Sequence, residues 1–235
     1  MVVTKVEMLT KIKYKVYLDE EFAFVLYKGE LSHYRIVEGT LLEEDTVQEI
    51  LQKVICKRAK LRAMHLLEDM DRSESALREK LRQGLYPPEA VEAAISYVKS
   101  FGYLDDARYA ENFVQSRKAS KSRREILYQL CQKGVSREIA QQVVEECFDG
   151  QDETEAILKI IEKKRVDLRT ATPEQMQKLY GHLARKGFRY EDIRQVIQNY
   201  DENGAIMEIA DNEKDIQDFS RMLKKAYSSQ IRKHF

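Results

Sequence analysis

Cysteine is scarce in this chain, with three among 235 residues and no CxxC pair. Cys56, Cys131 and Cys147 are odd in number and far apart, which argues against a disulfide framework and for buried thiols in a reducing compartment. Glycine and proline are also few, nine and three, so the composition favours helices over a turn-rich fold. Net charge is absent: 40 basic and 40 acidic side chains cancel, and only local clustering can indicate a partner. The N-terminal MVVTKVEMLTKIKYKVYL carries no apolar run of signal-peptide length, and no stretch is long enough to cross a membrane. A soluble, cytoplasmic protein is the expectation.

The signatures of catalysis are missing as well. His33, His65, His182 and His234 lie in separate segments without HExxH or Cys/His metal spacing. Neither GxGxxG, a P-loop nor GxSxG occurs. The expectation is a protein that is not an enzyme and uses no cofactor and no metal.

What is present falls into two periodicities. In KYKVYLDEEFAFVLYK, Tyr14, Val16 and Leu18 alternate with other residues, as do Phe22, Phe24 and Leu26, across a polar turn at Asp19-Glu20-Glu21. With Val2 to Met8 as a third strand this predicts a small antiparallel meander, which needs a helix to pack on. From Thr46 the period becomes helical, and Val47, Ile50, Leu51, Val54, Ile55, Ala59, Ala63, Leu66, Leu67 and Met70 share one face of a helix of about 25 residues. A capping box of Thr46 and Glu49 is expected to start it.

Beyond Asp71 three segments repeat. Leu77/Leu81, Ile126/Leu130 and Leu179/Leu183 are each followed by a glycine, Gly84, Gly134 or Gly187, and then by a second apolar run. Leu81, Leu130 and Leu183 stand 49 and 53 residues apart, a spacing typical of helical arrays. Each glycine is expected to hold a left-handed helix stop. Ser122 with Glu125, Thr172 with Gln175, and Pro87-Pro88 mark helix starts. Additional helices are expected at Asp106 to Lys118 and at Asp152 to Lys164. The predicted architecture is mainly α: tandem three-helix repeats in an elongated, curved array behind a small β-containing extension. Its divisions are a β-containing module at 1–45, a long connecting helix at 46–71, repeats at 72–120, 121–168 and 169–210, and a charged tail at 211–235.

Two aspartates in FGYLDDARYAENFVQSR invite a reading as a metal or acid–base pair, but no further ligands lie nearby. Gly102 ends one helix and Ala110, Phe113 and Val114 belong to the next, so Asp105 reads as an N-cap and Asp106 as a first-turn charge. Charge is clustered elsewhere. RKASKSRR puts five cations, Arg117, Lys118, Lys121, Arg123 and Arg124, in one connection without an acid. Five more lie from Lys53 to Arg62 and another five from Arg221 to Phe235, set against acid-rich stretches at Glu145 to Glu155 and Asp201 to Asp215. Such blocks on a helical array suit docking to a polyelectrolyte or a charged protein assembly.

The segments EFAFVLYKGEL, KRAKLRAMHLLEDMDRSESALREKL and GYLDDARYAENFVQSRKASKSRREILYQLCQKGVS, in that order, resemble the RecX family of RecA regulators. The resemblance covers nearly the whole chain but is weak from Ala205, and nothing is carried onto the tail. It implies three tandem three-helix repeats. It also implies a monomeric, non-enzymatic regulator that binds the RecA filament on single-stranded DNA and dampens its growth, ATP hydrolysis and strand exchange. On charge alone, Arg117, Lys118, Lys121, Arg123 and Arg124 are the expected contacts to acidic RecA surface or to single- or double-stranded DNA phosphate. A helical repeat protein that binds nucleic acid without RecA is the alternative the same clusters allow.

Overall fold

The computed structural model describes residues 1–148 and 153–202. Three antiparallel strands open the chain: β1 (Val3–Thr10), β2 (Lys13–Leu18) and β3 (Glu21–Tyr27), with β2 central. The register pairs Val6 with Val16 and Val16 with Phe24, so the period-two pattern places Val3, Val16, Leu18, Phe24 and Leu26 on one buried face. Each such side chain, fully buried, contributes roughly 1.5–3 kcal/mol. The β2–β3 turn sets both Asp19 and Glu20 at positive φ, 48° and 71°, the backbone that a tight hairpin requires and that glycine adopts most cheaply. Glu20→Gly is expected to raise stability by about 0.5–1 kcal/mol. That is a left-handed penalty of ~1–2 kcal/mol less the larger backbone entropy glycine loses on folding. Urea unfolding measures it, and the Glu20 N–H to Thr4 Oγ1 bond, 2.9 Å, survives the change.

A short helix, α1 (Lys28–His33), leads to the helix on which the sheet packs. That helix begins as α2 (Glu44–Glu49), passes through a π-helical segment at Ile50–Cys56 and continues as α3 (Lys57–Asp69). It starts three residues earlier than the Thr46–Glu49 box predicts. Glu43 is the extended N-cap residue, and Glu44 and Asp45 supply first-turn charges that suit the helix dipole, so Thr46 lies inside the first turn. The π segment re-phases the apolar stripe, so that Ile50, Ile55, Cys56 and Ala59 are all buried.

The remaining helices are α4 (Glu74–Gln83), α5 (Pro88–Ser100), α6 (Asp106–Gln115), α7 (Arg123–Gln132), α8 (Arg137–Cys147), α9 (Thr154–Lys164), α10 (Pro173–Arg185) and α11 (Tyr190–Glu202). Their starts follow the predicted caps: Pro87 precedes α5, and Thr172 and Gln175 exchange both bonds of a capping box at α10. The chain divides into two compact bodies, Met1–Tyr109 with Gln132–Ser136, and Ala110–Cys131 with Arg137–Phe235. In the first, the small Ala59 and Ala63 of α3 let α5 approach closely, and the core runs from the sheet through Leu77 and Leu81 to Ile95 and Val98. In the second, α9, α10 and α11 share a core of Ile157, Ile161, Leu179, Leu183, Ile193 and Ile197.

Two sequence expectations need correction. Gly134 and Gly187 have φ of 80° and 94° as predicted, but Gly84 is right-handed at −75° and the left-handed stop is its neighbour Leu85, at 60°. The thiols are not uniformly buried: Cys56 is buried, Cys147 half-buried and Cys131 exposed. The expected elements from Ala205 onward, including the basic and acidic stretches of the tail, lie outside the described residues.

Candidate functional site

The basic connection is a wound segment instead of an open loop. After α6, the N–H groups of Arg117 and Lys118 both donate to Val114 O, and those of Ser120 and Lys121 both donate to Arg117 O. Ser116 and Ser120 hydroxyls donate back to Phe113 O and Arg117 O. Within this frame the five cations separate. The Arg117 guanidinium lies 3.8 Å from the centroid of the Phe113 ring, and Lys121 Nζ is 2.5 Å from Glu125 Oε1. Arg123 stacks on Phe148 at 4.9 Å and donates a long bond, 3.4 Å, to Phe148 O. Arg117, Lys118, Lys121 and Arg123 are half-buried, whereas Arg124 is exposed. The cationic patch on the long helix divides in the same way. Arg58 reaches inward to Val25 O and lies over Tyr27, while Lys53, Lys57 and Arg62 face solvent.

Arg123 belongs to a joint that occurs twice. In the second body, Ser122 caps α7 by accepting from Glu125 N–H at 3.1 Å, and its hydroxyl donates to Lys186 O at 2.6 Å. Glu153, at the start of α9, accepts from Arg123 N–H at 2.6 Å. In the first body, Ser73 caps α4 by accepting from Ala76 N–H at 3.2 Å and donates to Lys133 O. There Asp106 accepts from Glu74 N–H at 2.7 Å. Each joint thus satisfies two orphan N–H groups at a helix start and one carbonyl beside a left-handed glycine. Burial raises the Asp106 and Glu153 carboxyls above their ordinary range, against the pull of the backbone N–H each accepts. Both serines are buried. Thr172, their counterpart before α10, makes its cap but is exposed.

The glycines complete the joints. A Cβ on Gly134 would lie 2.3 Å from Ser75 Cβ, and one on Gly187 would lie 2.9 Å from Ser122 Oγ and 3.1 Å from Arg124 Cβ. Leu85 holds the same left-handed conformation with a full side chain. Close approach, more than φ, is what demands glycine at the two joints.

The paired aspartates resolve similarly. Asp105 Oδ1 accepts from Ala107 and Arg108 N–H at 2.9 and 3.1 Å, the predicted N-cap. Arg108 then turns back to donate to Gly102 O and Tyr103 O, clamping the stop of the preceding helix. This fixes an exposed ring stack that sequence reasoning missed. Phe101 and Tyr103 lie near-parallel at 5.9 Å and are 58% and 51% exposed, and Tyr97 leans on Phe101 at 5.0 Å. The signal was the flanking aromatics of FGYLDD. Rings held in water by a rigid turn fit partner contact better than core packing. Among the described residues, no cluster of His, Cys, Asp or Glu has metal-binding geometry, and no helix is long and apolar enough to cross a membrane.

Family models described as the first, second and third three-helix domains of RecX match residues 59–97, 105–144 and 151–197. A protein named Regulatory protein RecX from Caldanaerobacter subterraneus subsp. tengcongensis is 32% identical over 186 residues, covering 79% of this chain and 92% of its own. Another of that name, from Listeria monocytogenes, is 26% identical over 234 residues, covering 97% and 82%. A crystal structure titled regulatory protein RecX covers 83% of this chain and 98% of its own at 25% identity, with a TM-score of 0.56. One of RecX from Lactobacillus salivarius shares the fold at a TM-score of 0.56 and 22% identity, covering 63% and 97%.

Proposed function

Because the chain belongs to the RecX family of regulatory proteins, we propose that it binds the RecA filament on single-stranded DNA and restrains filament growth, ATP hydrolysis and strand exchange. It does so as a monomeric cytoplasmic protein, without catalysing a reaction. The observation that carries the reading is the agreement of all three helical domains with a family whose members are named regulators. The surface chemistry supports it, since exposed rings at Phe101 and Tyr103 and an exposed cation at Arg124 suit a protein partner. Several modest contacts spread over successive RecA subunits would sum to avidity. In this reading the connection acts as a unit. Arg124 meets acidic RecA surface or DNA phosphate, while Arg117, Lys118, Lys121 and Arg123 add positive field and hold its shape.

The test is the single-stranded-DNA-dependent ATPase of RecA titrated with this protein. Inhibition at substoichiometric amounts is expected. Arg124→Glu should raise the half-inhibitory concentration about fivefold, reversal of one interface charge being worth roughly 1 kcal/mol. Helical circular dichroism should be unchanged. Arg123→Glu is the wrong probe, because it would set a second carboxylate near Glu153 and remove the Phe148 stack. No effect on RecA, together with tight salt-sensitive DNA binding, would favour a nucleic-acid-binding protein that acts without RecA.

A further inference from the structure

The N-terminal sheet has a second face that the core does not use. The register lines up three rows across it: Lys5–Tyr17–Phe22, Glu7–Lys15–Val25 and Thr10–Lys13–Tyr27. Three lysines thus oppose one glutamate, and that glutamate is occupied by Lys5 Nζ at 3.1 Å and the Tyr17 hydroxyl at 3.2 Å. Lys11 adds a further exposed cation at the β1–β2 turn. The rings stand among these charges. Tyr17 and Phe22 meet edge to face at 5.9 Å, Lys5 Nζ lies 5.5 Å from the Tyr17 centroid, and Lys13 Nζ lies 5.4 Å from that of Tyr27. Phe22 is 38% exposed although it contributes nothing to the buried face.

At the Tyr27 end this face runs into a small open cleft lined by Lys13, Tyr27, Arg58 and Tyr86, among others. Arg58 brings a guanidinium to its wall, shared with the Glu30 carboxylate 3.4 Å away. Its guanidinium bonds Val25 O at 2.8 Å, and its Nε is buried with no hydrogen-bond partner among the described residues. Cations alone would make an ordinary solvated face. Cations interleaved with rings on an open three-stranded surface match a chain of alternating phosphates and planar bases.

We propose that the outer face of the N-terminal sheet is a binding platform for single-stranded nucleic acid. Bases stack on Phe22 and Tyr17, and phosphates lie along Lys5, Lys15 and Lys13 toward Arg58. Duplex is disfavoured, because its paired bases present no free face to the rings. The platform precedes the three matched helical domains, the first of which begins at residue 59, and it does not depend on the RecA reading.

The experiment uses the full chain, a fluorescently labelled oligothymidylate, no other protein, and anisotropy over a series of salt concentrations. Binding is expected, with log affinity falling linearly with log salt. Lys13→Gln/Lys15→Gln should flatten that slope by about 1.4, some 0.7 for each phosphate contact on a single strand. Phe22→Leu keeps an apolar side chain but removes the ring, and should weaken binding at fixed salt at least about fivefold. Lys178→Gln, an exposed cation of α10 with no part in the platform, should leave oligonucleotide affinity unchanged. Absence of binding by the parent chain, sheet variants that bind like the parent, or equal competition by duplex would each overturn the platform. Coincident melting curves for parent and variants ensure that a loss reports the surface and not the fold.

Discussion

Gly134→Ala is expected to destabilise the protein by about 2–4 kcal/mol, far more than a surface glycine substitution ordinarily does. Two separable effects contribute. The φ of 80° costs an L-residue roughly 1–2 kcal/mol. The new methyl would also sit 2.3 Å from Ser75 Cβ, which must withdraw with the first turn of α4, an overpacking strain of about 1–3 kcal/mol. At roughly 2–4 °C per kcal/mol for a chain of this size, the melting midpoint should fall by about 5–15 °C. Ser75→Gly in the same molecule separates the two. It should recover the steric part and leave the conformational part, a coupling of at least about 1 kcal/mol in a double-mutant cycle. A loss near 1 kcal/mol that Ser75→Gly leaves untouched would mean that backbone conformation alone selects glycine here. Leu85 argues against that outcome, since it adopts φ of 60° with a full side chain.

The contrast between Leu85 and Gly134 also marks what could be read before the structure was known. Helices and their starts were legible because their causes are local. Leu179 and Leu183 lie one turn apart, Thr172 and Gln175 exchange two bonds three residues apart, and Asp105 caps Ala107 and Arg108. The strand pattern was legible for the same reason, as alternation at Val16 and Leu18 directly reports a one-sided sheet. The π segment was not legible, because it answers to the sheet packed against Ile50 and Ile55 and leaves no local mark. Nor was the stop at Leu85, where the glycine beside it was the stronger local signal.

The candidate site shows the same limit. Its charge was legible, its division was not. Arg123 and Arg124 are adjacent and identical in type, yet one faces Phe148 and the other solvent, and only the fold distinguishes them. Asp106 was read as a first-turn charge on its own helix. Its principal partner is the N–H of Glu74, 32 residues earlier, beyond any local window.

Ser122→Ala should cost about 2–4 kcal/mol and Ser73→Ala a similar amount, while Thr172→Ala should cost only about 1 kcal/mol. All three lose the cap, typically worth ~1 kcal/mol. The two serines lose more because their hydroxyls donate to carbonyls 64 and 60 residues away, Lys186 O and Lys133 O, from fully buried positions. Both bonds are part-buried, and a carbonyl deprived of its donor there costs on the order of 1 kcal/mol beyond the bond itself. Thr172 bears no such second bond among the described residues and stands in water, so its loss measures the cap alone. Denaturant unfolding of the three variants therefore isolates the joint as the difference between serine and threonine, without assuming the worth of a cap. Equal losses at all three positions would reduce the joints to ordinary helix starts. In the serine variants, native-state hydrogen exchange should accelerate first at Glu125 N–H for Ser122 and at Ala76 N–H for Ser73, the donors each hydroxyl had capped. Exchange elsewhere in α7 or α4 should follow only as far as the whole body loosens. A joint that holds two helices by one hydroxyl opens at that hydroxyl, and the order of exchange would show it.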